Sequence, residues 1–359
     1  MPGAARQPVA RAVVCALLRE GSPPAVSVPE DVLAAARADE VHLLLADRLR
    51  LPSFGDELRD AAVVEACRAH ELQAVLAGMT AAGVRPILLK GASLARTHYS
   101  RPELRPRSDT DLMIASSDRD ASARVLVGLG YDRLLEVDGE VAIGQFHFQK
   151  QDRNGLFHAV DVHWRVSNVR AFADVLTYEE LARDAVALPA LGAGAWSPSP
   201  VHALLVACVH RVAHHGDTDN LLWLFDVHLL ARGFTPRERD AFTALASARR
   251  MRAVSARTLS LAEEAFGGLD VEWIAALSVP DGSSEPSAAF LGGGLRRVDI
   301  LRSDLAATPE WRTRLALLRE HLFPRAAFMY ERYGVRARFA LPWLYLHRIV
   351  TGLPKWFRR

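Results

Sequence analysis

The chain of 359 residues is 50% hydrophobic and 24% charged, an ordinary globular composition that excludes a disordered or fibrous polymer. Its 44 basic and 42 acidic residues leave a net charge of +2, so the overall balance gives no reason to expect nucleic acid as a partner. Three cysteines, Cys15, Cys67 and Cys208, are odd in number and far apart, which argues against a disulfide framework or a cysteine-based zinc site and fits a reducing, cytoplasmic compartment.

Residues 8–20 and 29–49 carry apolar side chains at spacings of three and four and are expected to be helical. Arg11 inside the first of these, and Arg19-Glu20 after it, argue for an amphipathic helix rather than a signal peptide. Ser27-Val28-Pro29-Glu30 supplies a helix start with proline in the first turn. A long helix follows over 56–82 and stops at Gly83. No run of residues reaches the length of a membrane span, so no transmembrane segment is expected.

The texture then changes. Arg85-Pro86-Ile87-Leu88-Leu89-Lys90 is a compact apolar run that reads as a buried strand. Residues 91–96 turn and begin a helix, 101–108 are an Arg- and Pro-rich loop, and 107–114 are a short strand, polar at its start and apolar at its end. Asp118 to Leu129 reads as a helix with an Asx-type start, closed by Gly130. Residues 131–136 and 142–149 read as strands, and Asp152-Arg153-Asn154-Gly155 is a hairpin turn whose partner strand returns over 156–166. Pro189 to Pro200 reads as a linker, and nearly everything beyond it is helical. The expected fold class is α+β: an N-terminal helical segment (1–84), a core built on a small mixed sheet (85–190) and a large C-terminal helical domain (191–359).

Side chains on a strand alternate faces, so Asp109 and Asp111 point the same way. Two carboxylates side by side repel unless a cation sits between them, and Mg²⁺ is commonly held by one or two carboxylates plus substrate phosphates. By itself the pair is equally a solvated strand end. Asp161, between Val160 and Val162, adds a third carboxylate that needs a partner, and His163 shares its face. Lys90 and the turn from Gly91 to Ser93 combine a positive charge with free backbone N–H groups at a helix start, which suits phosphate.

The order Lys90-Gly91-x-Ser93, then Asp109-x-Asp111, then Asp161 on a later strand resembles the nucleotidyltransferase superfamily of DNA polymerase β type. It is more closely similar to a bacterial family of uncharacterised nucleotidyltransferases, through Leu88-Leu89-Lys90-Gly91, Asp161-Val162-His163-Trp164 and the helical stretch His210 to Leu230 with His214, Gly216, Trp223 and Asp226. Leu322-Phe323-Pro324 and Tyr330-x-x-Tyr333 extend the likeness over most of residues 85–350. One departure is that Gly91 is followed by Ala92 and lies 18 positions before Asp109, further than the superfamily usually places it.

The resemblance implies a nucleotidyltransferase core that moves NMP from a nucleoside triphosphate such as ATP to an acceptor hydroxyl, with release of pyrophosphate. It implies two Mg²⁺ ions, with Mn²⁺ as a substitute, on Asp109, Asp111 and Asp161, and nucleotide contacts from Lys90, Gly91, Ser93, Arg107 and His163. Asp161 would also take the acceptor's proton. The acceptor, a small molecule, peptide or protein, stays open.

Other residues have two readings each. Arg101, Arg105 and Arg107 are phosphate clamps or solvated loop residues. His210, His214 and His215 are packing, cleft-lining or zinc-binding groups, and Trp223 and Phe225 are core or base-stacking residues. The basic, aromatic stretch Arg336 to Arg359 is a final packing helix or a surface for a membrane or an acidic partner. Two further functions compete with nucleotidyl transfer: an Asp-x-Asp glycosyltransferase using a nucleotide sugar, and a non-catalytic scaffold or antitoxin.

Overall fold

The computed structural model describes residues 6–19, 27–134, 141–278, 285–335 and 337–357. Helices α1 (Arg6–Leu18), α2 (Glu30–Ala38) and α3 (His42–Leu49) open the chain. The single helix expected over 29–49 is thus two. Glu40 takes a left-handed φ of 59°, which no helix continues through, and Val41 behind it is fully buried. Asp39 at the break accepts from Arg11 at 2.8 Å and from the Leu221 N–H at 3.2 Å. Apolar residues of α1–α3 accordingly pack against residues 221–225 and 265–266 rather than against the sheet.

The long helix α4 (Gly55–Ala81) is as expected and ends at Gly83, whose φ is 79°. It covers one face of the sheet. Strand β1 (Ile87–Leu88) is shorter than the sequence suggests because Lys90, at φ 49°, already begins α5 (Lys90–Thr97). Then come β2 (Asp109–Met113), α6 (Arg119–Gly128), β3 (Asp132–Arg133), β4 (Gln145–Gln151) and β5 (Phe157–His163). Helix α6 is entered through a 3₁₀ turn over Ser116–Asp118, and Asp118 makes no side-chain cap bond, so the expected Asx-type start is absent. Residues 135–136 of the strand expected over 131–136 lie outside the described residues.

Among the described residues these strands form a five-stranded mixed sheet in the order β1-β2-β5-β4-β3, with β2 and β5 parallel and the other pairs antiparallel. Period-two alternation divides its two faces. Leu112, Val160, Val162 and Phe148 face α4 and α6, where they meet Leu72, Leu76, Met79 and Leu126 in one core. The opposite face carries the acidic residues.

The stretch expected as a linker is a built element. Val186–Ala187 (β6), after the short helices α7 (Arg170–Ala173) and α8 (Tyr178–Arg183), pairs with Trp196–Ser197 (β7). Leu188, Leu191 and Ala195 join the core beneath the sheet. Gly194 packs so closely on α4 that a Cβ there would collide with the Thr80 hydroxyl oxygen. From Pro200 the chain is helical: α9 (Pro200–Val209), α10 (Leu221–Arg232), α11 (Pro236–Ala248), α12 (Arg252–Phe266), α13 (Val271–Leu277), α14 (Arg297–Ala307), α15 (Trp311–Leu322), α16 (Ala326–Tyr333) and α17 (Leu341–Phe357). A second core, built largely from α9 to α13, also takes in Ile87, Leu89 and Met113, so the helices are docked directly on the acidic side of the sheet.

Candidate functional site

Parallel pairing of β2 and β5 puts Asp111 directly beside Asp161, and Met113 beside His163. Alternation aims Asp109, Asp111, Asp161 and His163 at one face. Ligand atoms of Asp111, Asp161 and His163 lie within 4.8 Å of one another, a spacing at which one ion can bridge them. Asp109 stands outside that cluster and lines, with Asp111, Lys90 and Gly91, a cavity of about 140 Å³.

The hairpin supplies the next strand. The Asp152 N–H bonds to the Leu156 carbonyl, and the Asp152 carboxylate accepts from the Asn154 and Leu156 N–H groups, which pins the turn. Equal steps outward from it pair His147 with Asp161 and Gln145 with His163. His147 Nδ1 lies 2.6 Å from Asp161 Oδ1, and its Nε2 lies 2.6 Å from the Gln145 amide nitrogen. Sequence reasoning passed over His147 and Gln145. The signal was present, because the recognised turn fixes which residue of the preceding strand stands opposite Asp161.

Lys90 closes the site from the other side. The Leu89 N–H bonds to the Asp111 carbonyl at 2.9 Å, which fixes the start of α5 against β2, and the left-handed turn at Lys90 follows. Its Nζ lies 2.7 Å from Asp111 Oδ1, and His163 Nε2 lies 2.8 Å from the same oxygen. Burial by itself would raise the Asp111 carboxyl, but Lys90 and His163 outweigh it and hold the group well below the usual carboxylate range. Asp109 is shifted the opposite way, upward, by burial and by the negative charges of Asp111 and Asp161.

These residues fit a divalent metal ion. The donor set is oxygen-rich, one lysine cation already stands against the central carboxylate, and the buried His163 Nδ1 has no partner among the described residues.

Gly91 is where the backbone comes close. A Cβ there would meet the Arg105 guanidinium at 3.0 Å. Arg105 is itself buried and bonded to Asp226 of α10 at 2.6 Å, and the Tyr99 hydroxyl donates to that carboxylate at 2.8 Å. Arg107 lines the cavity, yet its guanidinium donates to the Asp109 carbonyl, the Thr110 hydroxyl and Glu65. Arg101 pairs with Asp47. Each of the three arginines considered as clamps therefore has a carboxylate partner. Ser93 is 1% exposed and shares a 2.6 Å hydrogen bond with the Ser197 hydroxyl, so its side chain is turned into the β7 ribbon.

The histidines form the wall opposite the sheet. Residues 210–214 wind as a π-helical turn at the end of α9, a widening often found at functional sites. His210 and His215 reach the cavity with Trp223, and the His215 and Trp223 rings lie 3.8 Å apart. His214 Nε2 is 3.2 Å from the Ser167 hydroxyl. Burial, then the charge of Lys90, lowers all three histidines, with His214 brought to about 3. Phe225, by contrast, is core. Among the described residues the recognised metal-ligand cluster holds none of these three histidines.

The model of an uncharacterised nucleotidyltransferase family matches residues 28–267, well over half of the chain. No curated protein matches it.

Proposed function

The chain belongs to the uncharacterised nucleotidyltransferase family, and from that premise we propose that it transfers a nucleoside monophosphate from an NTP to an acceptor hydroxyl. The observation that carries this reading is the side-by-side register of Asp111 and Asp161 on the open face of the sheet, with His163 within 4.8 Å and Lys90 on Asp111. Asp109, Asp111 and Asp161 are the residues that would hold Mg²⁺ or Mn²⁺, with His163 beside them. Such an ion, when bound, neutralises charge on the phosphates and makes the acceptor hydroxyl more acidic.

The chain's own groups account for the rest. Lys90 is the charge available to the β- and γ-phosphates once it leaves Asp111. Gly91 lets the backbone at the start of α5 approach them. Asp161 accepts the hydroxyl proton as the acceptor oxygen bonds to the α-phosphorus and the bond to the β-phosphate breaks, releasing pyrophosphate. His147 orients Asp161 through its 2.6 Å contact. Buried His210 and His214 stay neutral and add no competing charge. Trp223 and His215 offer flat faces for a base. Arg107 and Ser93 act in this scheme through the scaffold, by fixing β2 and α5.

The test is turnover of the four NTPs, each labelled at the α-phosphate, with pyrophosphate detection and Mg²⁺ or Mn²⁺ present. Label transfer with pyrophosphate release, reduced about 10²–10⁴-fold in Asp161→Asn, supports the reading. Release of a nucleoside diphosphate from nucleotide sugars instead would favour glycosyl transfer, and absence of nucleotide binding by calorimetry would favour a scaffold.

A further inference from the structure

The charge of the chain is divided unevenly. Residues 311–359 hold eleven Lys or Arg and two Asp or Glu, +9, so the first 310 residues carry −7 of the +2 total. The last 24 residues, 336–359, hold six of the basic residues and no acidic one.

This basic end also displays apolar side chains. The inner face of α17 is satisfied: the Tyr345 hydroxyl donates to the Pro324 carbonyl at 2.6 Å, Arg348 lies over the Phe328 ring, and His347 meets Tyr333 edge to face. Its outer face is not. Phe339, just before the helix, is 85% exposed, Trp343 72% and Val350 61%, with Leu346 and Phe357 also exposed. Spacings of four, three, four and seven put them in one stripe along the helix. Isolated exposed apolar residues are ordinary, but a continuous stripe of three aromatic side chains, a leucine and a valine is not.

We propose that α17 lies flat on an anionic phospholipid surface, with this stripe in the headgroup–acyl boundary and the net positive charge of residues 311–359 drawing it to the phosphates. Among the described residues no helix is long and apolar enough to cross a membrane, and α17 has 17 residues, so the stripe suits lying on a bilayer, not spanning it. Charge selects this occupant over a second copy of the chain. Two copies meeting through α17 would bring two segments of six positive charges together with no carboxylate in either, whereas anionic lipid complements them. A cavity between α14, α15 and α17 adds a place for a headgroup: it is lined by Arg297, Arg332 and Arg348 with Leu301 and Leu318, and it shares Phe357 with the stripe. This proposal is independent of the chemistry at the carboxylates.

The experiment is co-sedimentation of the full chain with vesicles of phosphatidylcholine alone or with 30% phosphatidylglycerol (about a third anionic lipid, a typical test composition), at low and high salt. Binding to the anionic vesicles, at least about tenfold weaker on neutral ones and weakened by salt, is expected. Trp343→Ser with Val350→Ser, both exposed and so neutral for folding, should reduce it at least about tenfold while the circular dichroism spectrum stays unchanged. Equal partition of the double variant and the parent chain would overturn the proposal. So would a parent chain that ignores both vesicles and instead sediments as a dimer that the double variant abolishes.

Discussion

Lys90→Met separates the pairing with Asp111 seen in the structure from the phosphate contact proposed for this lysine. The Lys90–Asp111 pair has side chains only 10% and 9% exposed, and breaking a pair buried to this degree costs roughly 3–5 kcal/mol, because the remaining charge loses its partner. His163 stays 2.8 Å from the same oxygen and softens the loss, so about 3 kcal/mol is expected in EDTA, read from guanidinium denaturation. With the lysine gone the carboxylates are more negative and Mg²⁺ no longer has to displace a cation. Calorimetry should therefore show Mg²⁺ binding tightened by about tenfold, near 1.4 kcal/mol, and added Mg²⁺ should restore much of the lost stability. Turnover should nevertheless fall by about 10²–10³-fold, as for loss of one preorganised charge at a reacting phosphate. An EDTA-treated variant as stable as the parent, or one that binds Mg²⁺ more weakly, would show that Lys90 does not stand in for a metal on Asp111.

His147→Ala should lower kcat by about tenfold with KM little changed, and His147→Asn should recover part of it, since a positioning role needs the contact to Asp161 and not a proton. Asp226→Asn should destabilise the chain by roughly 3 kcal/mol in chemical denaturation, because Arg105 is left buried without its charge partner. Stability should fall as pH drops from 6.5 toward about 3. His214 is held at about 3 in the fold and titrates near 6.5 when unfolded, so in that window the unfolded chain binds more protons. His214→Asn should flatten this part of the pH profile, and an unchanged profile would contradict the assignment. Gly91→Ala should impair nucleotide binding and also lower stability, measured by calorimetry and denaturation side by side, since its Cβ would stand 3.0 Å from the Arg105 guanidinium, which Asp226 holds in place.

The strand alternation and the hairpin were legible in the sequence because both follow from local rules. Asp109, Asp111, Asp161 and His163 do share a face, and one turn fixes the register of β4 on β5. His147 is legible by the same rule, since the turn sets it opposite Asp161. What local rules do not contain is the set of long-range partners. Nothing near Arg105 in sequence announces Asp226, 121 positions away, and nothing near Ser93 announces Ser197. Both residues look like phosphate ligands until their partners are known. The break at Glu40 has the same origin, since Val41 and Asp39 are fixed by packing against distant helices that outweighs a favourable helical pattern. The 189–200 stretch reads as a linker by composition, but Gly194 is there for contact with Thr80, and Leu191 and Ala195 are core.

The most direct test of the central claim is a crystal of the full chain soaked with Mn²⁺ and an NTP analogue that resists α,β-cleavage, with anomalous scattering used to place the ion. Manganese is expected on carboxylate oxygens of Asp111 and its neighbours Asp109 and Asp161, with the triphosphate at Gly91 and Lys90 Nζ moved from Asp111 onto a phosphate. Nucleotide bound elsewhere, or manganese absent from these carboxylates while Lys90 keeps its 2.7 Å contact, would contradict it.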